Sequence, residues 1–96
     1  MSLDLIVVYT SRLGACRDFY GSLGLDLVRE RHGTGPEHYA ATLADGVVVE
    51  LYPARPDRLT GYLRLGLTLE TSPLGPGRHR STDPDGRHVE VVVRAG

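Results

Sequence analysis

The chain of 96 residues contains no tryptophan, one phenylalanine, one methionine and one cysteine. A lone Cys16 excludes an internal disulfide and cannot by itself build a cysteine zinc site. With so little Trp and Phe, the five tyrosines are the main aromatic surface, and tyrosine serves pockets and interfaces as readily as cores. Neither sign of charge dominates. There are 11 basic and 12 acidic residues for a net charge of -1, spread along the chain, which argues against nucleic acid and against an anionic membrane as partners. No apolar run approaches the roughly 20 residues of a membrane span, and the N-terminus lacks the basic-then-apolar order of a signal peptide. The chain reads as a soluble, cytoplasmic protein of one domain. A domain of this size buries only about two-thirds of its unfolded surface, so one modest core is expected.

Against this plain background stand two glutamates, each alone in an apolar β-type run: Glu50 in Val47-Val48-Val49-Glu50-Leu51-Tyr52, and Glu90 in His88-Val89-Glu90-Val91-Val92-Val93. An ionised carboxylate in a half-buried strand is costly unless a cation, a proton or a hydrogen-bond donor meets it. Its presence twice asks for a shared partner.

Periodicity places these glutamates in a fold. Leu3 to Tyr9 reads as a first strand, ended by Thr10-Ser11, with Ser11 as the expected N-cap of a helix. Leu13, Cys16, Phe19, Tyr20 and Leu23 follow at helical spacing, and Gly24 is placed to stop the helix. Gly14 and Gly21 weaken it by up to roughly 1 kcal/mol each relative to alanine, so it must depend on packing against a sheet. Leu25 to Arg31, Glu37 to Leu43 and Val47 to Tyr52 then read as strands, completing a βαβββ unit over residues 1–52. Pro53 to Thr60 is the expected linker. In the remainder, 61–96, Leu63, Leu65, Leu67 and Leu69 alternate with polar positions, and two strands flank Asp83-Pro84-Asp85-Gly86. If that turn carries a glycine bulge, Arg80 faces Glu90; a two-residue loop would put His79 there.

Three segments stand out: Val7 to Leu25, with Asp18-Phe19-Tyr20-Gly21-Ser22-Leu23-Gly24-Leu25 at its end; Val47 to Tyr52; and Thr82 to Val91, with the Asp-Pro-Asp-Gly turn before a strand carrying one Glu. Together they resemble the vicinal oxygen chelate superfamily, which includes glyoxalase I, extradiol dioxygenases and bleomycin or fosfomycin resistance proteins. The resemblance implies an α+β fold of paired βαβββ-like modules whose sheets curl around a pocket. It also implies that Glu50 and Glu90 match two of four metal-ligand positions in metal-dependent members. The other two positions fall on Leu5 and at or near Arg64, so half of the implied metal site is missing. Nitrogen ligands favouring zinc, nickel or iron are absent there, and a guanidinium stands where one should be. A tightly held cofactor is therefore not expected, although Glu50 and Glu90 with waters could hold a hard divalent metal weakly.

Strand parity puts Tyr9, Glu50, Tyr52, Tyr62, Arg64, His88 and Glu90 on the inner face, with Leu5, Val7, Val48 and Val92. Such a lining suits a small organic ligand with a polar group. The leading expectation is a small-molecule binding protein of the glyoxalase and bleomycin-resistance type, with Arg64 meeting a ligand anion. The alternatives are a metal-dependent glyoxalase-like lyase or dioxygenase, in which a glutamate would double as ligand and base, and a structural or interaction module. A closed ionic cluster of Glu50, Arg64, Glu90 and Arg80 that binds nothing is the competing structural explanation. His32 and His38, across the Gly33-Thr34-Gly35-Pro36 loop, are expected to be solvated unless a hairpin joins them, and Cys16 is expected to be a small core residue.

Residues 71–77 hold two prolines where the resemblance implies a second helix, so that helix is expected to be missing. Leu63, Leu65, Leu67, Leu69, Val89, Val91 and Val93 would then form an uncovered strip. A strip of that kind is adhesive, and a homodimer burying it is the expected assembly unless the first helix or the linker folds across both halves.

Overall fold

The structure, a computed structural model, describes residues 1–95. Its elements follow in the order β1 (Leu5–Thr10), α1 (Leu13–Leu23), β2 (Val28–Glu30), β3 (His38–Thr42), β4 (Val48–Pro53), a 3-10 turn (Pro56–Arg58), β5 (Arg64–Leu69), β6 (Gly77–Thr82) and β7 (His88–Val93). They form a four-stranded sheet of order β1-β4-β3-β2 and a three-stranded sheet of order β5-β7-β6. In each sheet the first strand of the half lies parallel to its last, β1 along β4 and β5 along β7. The architecture is the expected pair of modules with the second helix missing: the chain between β5 and β6 passes through turns. No helix among the described residues is long and apolar enough to cross a membrane.

Two hairpin turns share one geometry and aim the two glutamates. In each, the turn glycine donates to a residue three back, Gly46 to Leu43 and Gly86 to Asp83, and takes a left-handed φ, 93° at Gly46 and 90° at Gly86. Glycine reaches that region without a Cβ penalty. The second turn carries the glycine bulge, so Arg80 is the register partner of Glu90.

Burial follows the strand alternation. Val8, Val49, Leu51, Val89 and Val91 are buried on one side, while Tyr9, Glu50, Tyr52, Arg64, His88 and Glu90 stand on the other and are exposed or half-buried. The core is one continuous cluster in which Cys16, Tyr20 and Leu23 of α1 meet residues of both sheets.

That cluster corrects the expectation of an uncovered strip. Leu65, Leu69, Val89, Val91 and Val93 are all buried within the chain, and Leu63 and Leu67 are partly so. The single helix serves both halves. Its Tyr20 hydroxyl donates to Asp83 at 2.6 Å, and at its C-terminal end the Leu23 carbonyl accepts from Ser72 of the loop after β5. At about 1.5–3 kcal/mol per aliphatic side chain, this burial is what the second half gains by sharing one core with the first half. The physical argument for a homodimer lapses with it.

Two local expectations also change. Ser11 does not cap α1; Arg12 holds that position without a side-chain cap, and Thr10 Oγ1 accepts from the Arg12 N–H at 2.9 Å instead. The second strand shrinks to Val28–Glu30, because Leu25 closes the helix end by donating to the Tyr20 carbonyl and is buried there.

The halves are joined by Arg87, whose side chain is 1% exposed. Its guanidinium donates to Asp83 Oδ2 at 3.0 Å, Asp85 Oδ2 at 2.9 Å, the Gly61 carbonyl at 2.9 Å and the Tyr9 carbonyl at 3.2 Å. Burial alone would lower its pKa, but the two carboxylates outweigh that and raise it. Removing one member of such a buried set typically costs about 3–5 kcal/mol, a large share of the roughly 5–15 kcal/mol that holds a domain together. Arg87→Met is expected to lose stability on that scale in denaturant titration. A loss below about 1 kcal/mol would show that the joint is dispensable.

Asp85 gives the joint a pH dependence. Burial favours its neutral form, yet hydrogen bonds from the Thr10 hydroxyl (2.6 Å) and from Arg87 prevail and hold its carboxyl below the usual aspartate range. The stability this supplies is complete above the unfolded-state value, about pH 4, and is lost as pH falls through the lower folded value. The melting temperature of wild type should therefore fall more steeply below about pH 4 than that of Asp85→Asn. Parallel profiles would remove Asp85 from this role.

Candidate functional site

The second sheet carries a cleft of about 710 Å³ on its inner face, lined chiefly by Arg64, Gly66, Arg80, His88 and Glu90. Register explains the grouping. Arg64 pairs with His88, Gly66 with Glu90, and Arg80 with Glu90 from the other side, so all five face the same way. Gly66 opposite Glu90 leaves the floor open, and a Cβ built there would meet nothing within 4 Å. Tyr62, outside this lining, makes an edge-to-face contact with the His88 ring, centroids 5.6 Å apart.

Charge in the cleft differs from expectation. Glu90 does not pair with Arg64: one carboxylate oxygen takes Arg78 and the other takes Arg80 Nε at 3.0 Å. The Arg80 hydrogen bond is the main reason its carboxyl lies below the usual glutamate range, with the Arg78 charge adding to it. Among the described residues, Glu90 is the only acid in the lining. Among the described residues, Arg64 and Glu50 enter no ion pair. The closed cluster of Glu50, Arg64 and Glu90 does not form.

Tyr9, Glu50 and Tyr52 occupy the inner face of the first sheet and are not part of this lining. Val7 is the β1 partner of Glu50, and Tyr9 that of Tyr52, their rings 5.9 Å apart. Partial burial raises the Tyr52 phenol, with the nearby Glu50, Tyr9 and Glu30 adding to the effect, so its hydroxyl keeps its proton and can donate. The candidate residues thus divide between two faces, with Arg64, His88, Glu90 and Tyr62 in one group and Tyr9, Glu50 and Tyr52 in the other.

These positions do not fit the metal implied by the resemblance. Leu5 is half exposed and offers no donor atom, Arg64 is a cation, and Glu90 already has an arginine on each oxygen. A metal at Glu50 and Glu90 would have to displace both arginines with no nitrogen ligand in return.

Sequence reasoning missed His38. It is 1% exposed rather than solvated, and its ring stacks on Tyr52 with centroids 4.0 Å apart. The β2–β3 register that makes Glu30 its cross-strand partner was the usable signal. Cys16 is buried in the core as expected, and that burial, before the Thr10 hydrogen bond that partly opposes it, pushes its thiol up and away from nucleophile chemistry.

No protein-family model matches the chain, and no curated protein resembles it significantly. Solved structures do. A protein from Agrobacterium tumefaciens determined by NMR in solution superposes with a TM-score of 0.60 at 21% identity, covering 100% of this chain and 99% of that one. A structure described as a possible glyoxalase from Bacillus cereus gives 0.58 at 14% identity over 96% of this chain and 98% of that one. The oxidase ChaP-H2 gives 0.60 at 14% identity over 99% and 94%. At such identities the likeness establishes the fold: a shortened glyoxalase-type pair of modules.

The arginine clamp on Glu90 is directly measurable. Removing Arg80 should move the Glu90 carboxyl back up toward the ordinary glutamate range, followed by carbon-detected NMR titration of the side-chain carboxyls. A Glu90 titration identical in wild type and Arg80→Ala would contradict the pairing.

Proposed function

We propose that the protein binds a small organic anion in the cleft of the second sheet, without needing a metal at Glu50 and Glu90. One observation carries this reading: Arg64 presents a guanidinium with no protein carboxylate partner in a cleft whose single acid is already matched by two arginines. The lining therefore has surplus positive charge and a planar fork of donors suited to carboxylate or phosphate. His88 supplies an aromatic, polar wall beside it, with Tyr62 packed against that ring, the mixture expected of a small-molecule site. The glyoxalase-type fold is compatible with such a pocket, while the lyase or dioxygenase alternative would need ligand atoms that Leu5 and Arg64 cannot provide.

The test uses two variants with different physical effects. Arg64→Ala removes the anion contact, and Gly66→Val fills the floor, where the space around Gly66 and its ordinary backbone conformation accept a side chain. Free proteins should melt within a few degrees of wild type, since both positions lie on the open face. In a thermal-shift panel of aromatic and aliphatic carboxylates and phosphates, wild type should be stabilised by at least one anion, and both variants should lose that response. A response retained in both would place the ligand elsewhere.

A further inference from the structure

A second group of side chains, away from the cleft, has the geometry of a metal centre. Glu30 and His38 are direct register partners on β2 and β3, and His32 stands two residues beyond Glu30 in the loop joining these strands. Their ligating atoms lie within 4.8 Å of one another. Glu30 Oε1 is 3.3 Å from His38 Nε2 and 3.7 Å from His32 Nε2, and the two imidazoles stack with centroids 5.0 Å apart. Ligand atoms about 2.0–2.1 Å from a tetrahedral zinc are separated from each other by roughly 3.3 Å. The two separations from Glu30, 3.3 and 3.7 Å, are near that spacing.

The hydrogen bonding of His38 adds an independent argument. Its Nδ1 is 3.2 Å from the Pro36 carbonyl, which can only accept, so Nδ1 carries a hydrogen. With the ring neutral, Nε2 presents a lone pair toward the Glu30 carboxylate 3.3 Å away, an acceptor facing an acceptor that either a proton on the ring or a metal ion resolves. The Tyr52 hydroxyl, 3.2 Å away, gives Nε2 a donor but leaves the carboxylate and His32 unanswered. A cation placed among the three side chains satisfies all of them. A backbone carbonyl holding the far nitrogen of a ligand histidine is also the usual outer support of a metal centre. The loop is braced for the purpose: Gly35 N–H donates to the His32 carbonyl at 3.0 Å, and Arg31 Nε donates to the Gly35 carbonyl at 3.0 Å.

We propose that Glu30, His32 and His38 bind a divalent transition-metal ion of the zinc class. Two imidazole nitrogens with one carboxylate favour zinc, cobalt or nickel over magnesium or calcium. Three protein ligands leave a fourth position for water or an exogenous group, beside the Tyr52 hydroxyl. This centre uses none of the positions that the fold resemblance assigns to a metal, and it is independent of the anion cleft.

The test is calorimetric titration of untagged, metal-stripped protein with zinc, and with cobalt followed by visible absorption. His38→Ala risks the fold because the ring is buried, so the decisive variants are His32→Ala, whose side chain is largely exposed, and Glu30→Gln. Glu50→Gln serves as the comparison for the alternative metal position. Saturable binding of a single zinc is expected, weakened about ten-fold or more in His32→Ala and in Glu30→Gln and unchanged in Glu50→Gln, with cobalt giving the intense bands of a low-coordinate nitrogen and oxygen site. Absence of saturable binding, equal affinity in wild type and both cluster variants, or loss confined to Glu50→Gln would each overturn the proposal.

Discussion

Arg87 is the contact on which the rest of the molecule depends. One guanidinium reaches β1 through the Tyr9 carbonyl, the segment leading into β5 through Gly61, and its own turn through Asp83 and Asp85. Burying one cation with two carboxylates leaves a surplus negative charge, which hydroxyls and main-chain donors absorb. Tyr20 and Thr10 donate to Asp83 and Asp85, and the N–H groups of Asp85 and Arg87 donate to Asp83 Oδ1. Among the described residues no buried side-chain polar atom lacks a partner. A half-satisfied network of this kind would cost more than an apolar core, so its value depends on being complete. Complete, it ties together a helix, both sheets and the segment leading into β5 where the second half lacks a helix of its own.

The same joint sets the functional face. Arg87 stands immediately before β7, so fixing it fixes where His88 and Glu90 emerge, and through the parallel register it fixes Arg64 and Gly66. Alternation then does the rest. Each residue that feeds the core from β5 or β7 puts its neighbour on the open side, and a shift by one position would exchange the two sets. The rigidity of the core side is therefore what lets the open side carry unpaired charge.

Much of this was legible in the sequence because it is local. The alternation of Leu65, Leu67 and Leu69, the helical spacing of Cys16, Tyr20 and Leu23, and the bulge at Gly86 each depend on a few neighbouring residues. What was not legible depends on where distant elements meet. Asp83 and Asp85 read as turn residues; their second role as acceptors for Arg87 and Tyr20 appears only once α1 lies over the second hairpin. The leucine strip looked bare because the missing helix could be read from residues 71–77, whereas the sharing of α1 could not. His38 looked solvated because its burial comes from stacking on Tyr52 of the neighbouring strand, and the length of the preceding loop decides that register. The partner of Glu90 was readable as Arg80 once the turn type was chosen, but Arg78 lies on the same face two residues back and takes the other oxygen.

The two open faces end with opposite electrostatic character, and this bears on what each can hold. On the second sheet Arg64, Arg78 and Arg80 outnumber Glu90, and Glu90 is neutralised by two of them. On the first sheet Glu50 and Glu30 stand with His38 and Tyr52 and meet no arginine among the described ion pairs. Arg64, exposed and without a carboxylate, leaves surplus positive charge on one face, whereas the half-buried Glu30 and Glu50 leave surplus negative charge on the other. The two lone glutamates of the sequence thus have different fates although their turns and registers are alike. Glu90 is consumed by arginines from β6, a strand whose counterpart in the first half, β3, carries His38 and Ala40 on the same face. That difference in one neighbouring strand, rather than in the glutamates themselves, separates an anion-attracting face from a cation-attracting one.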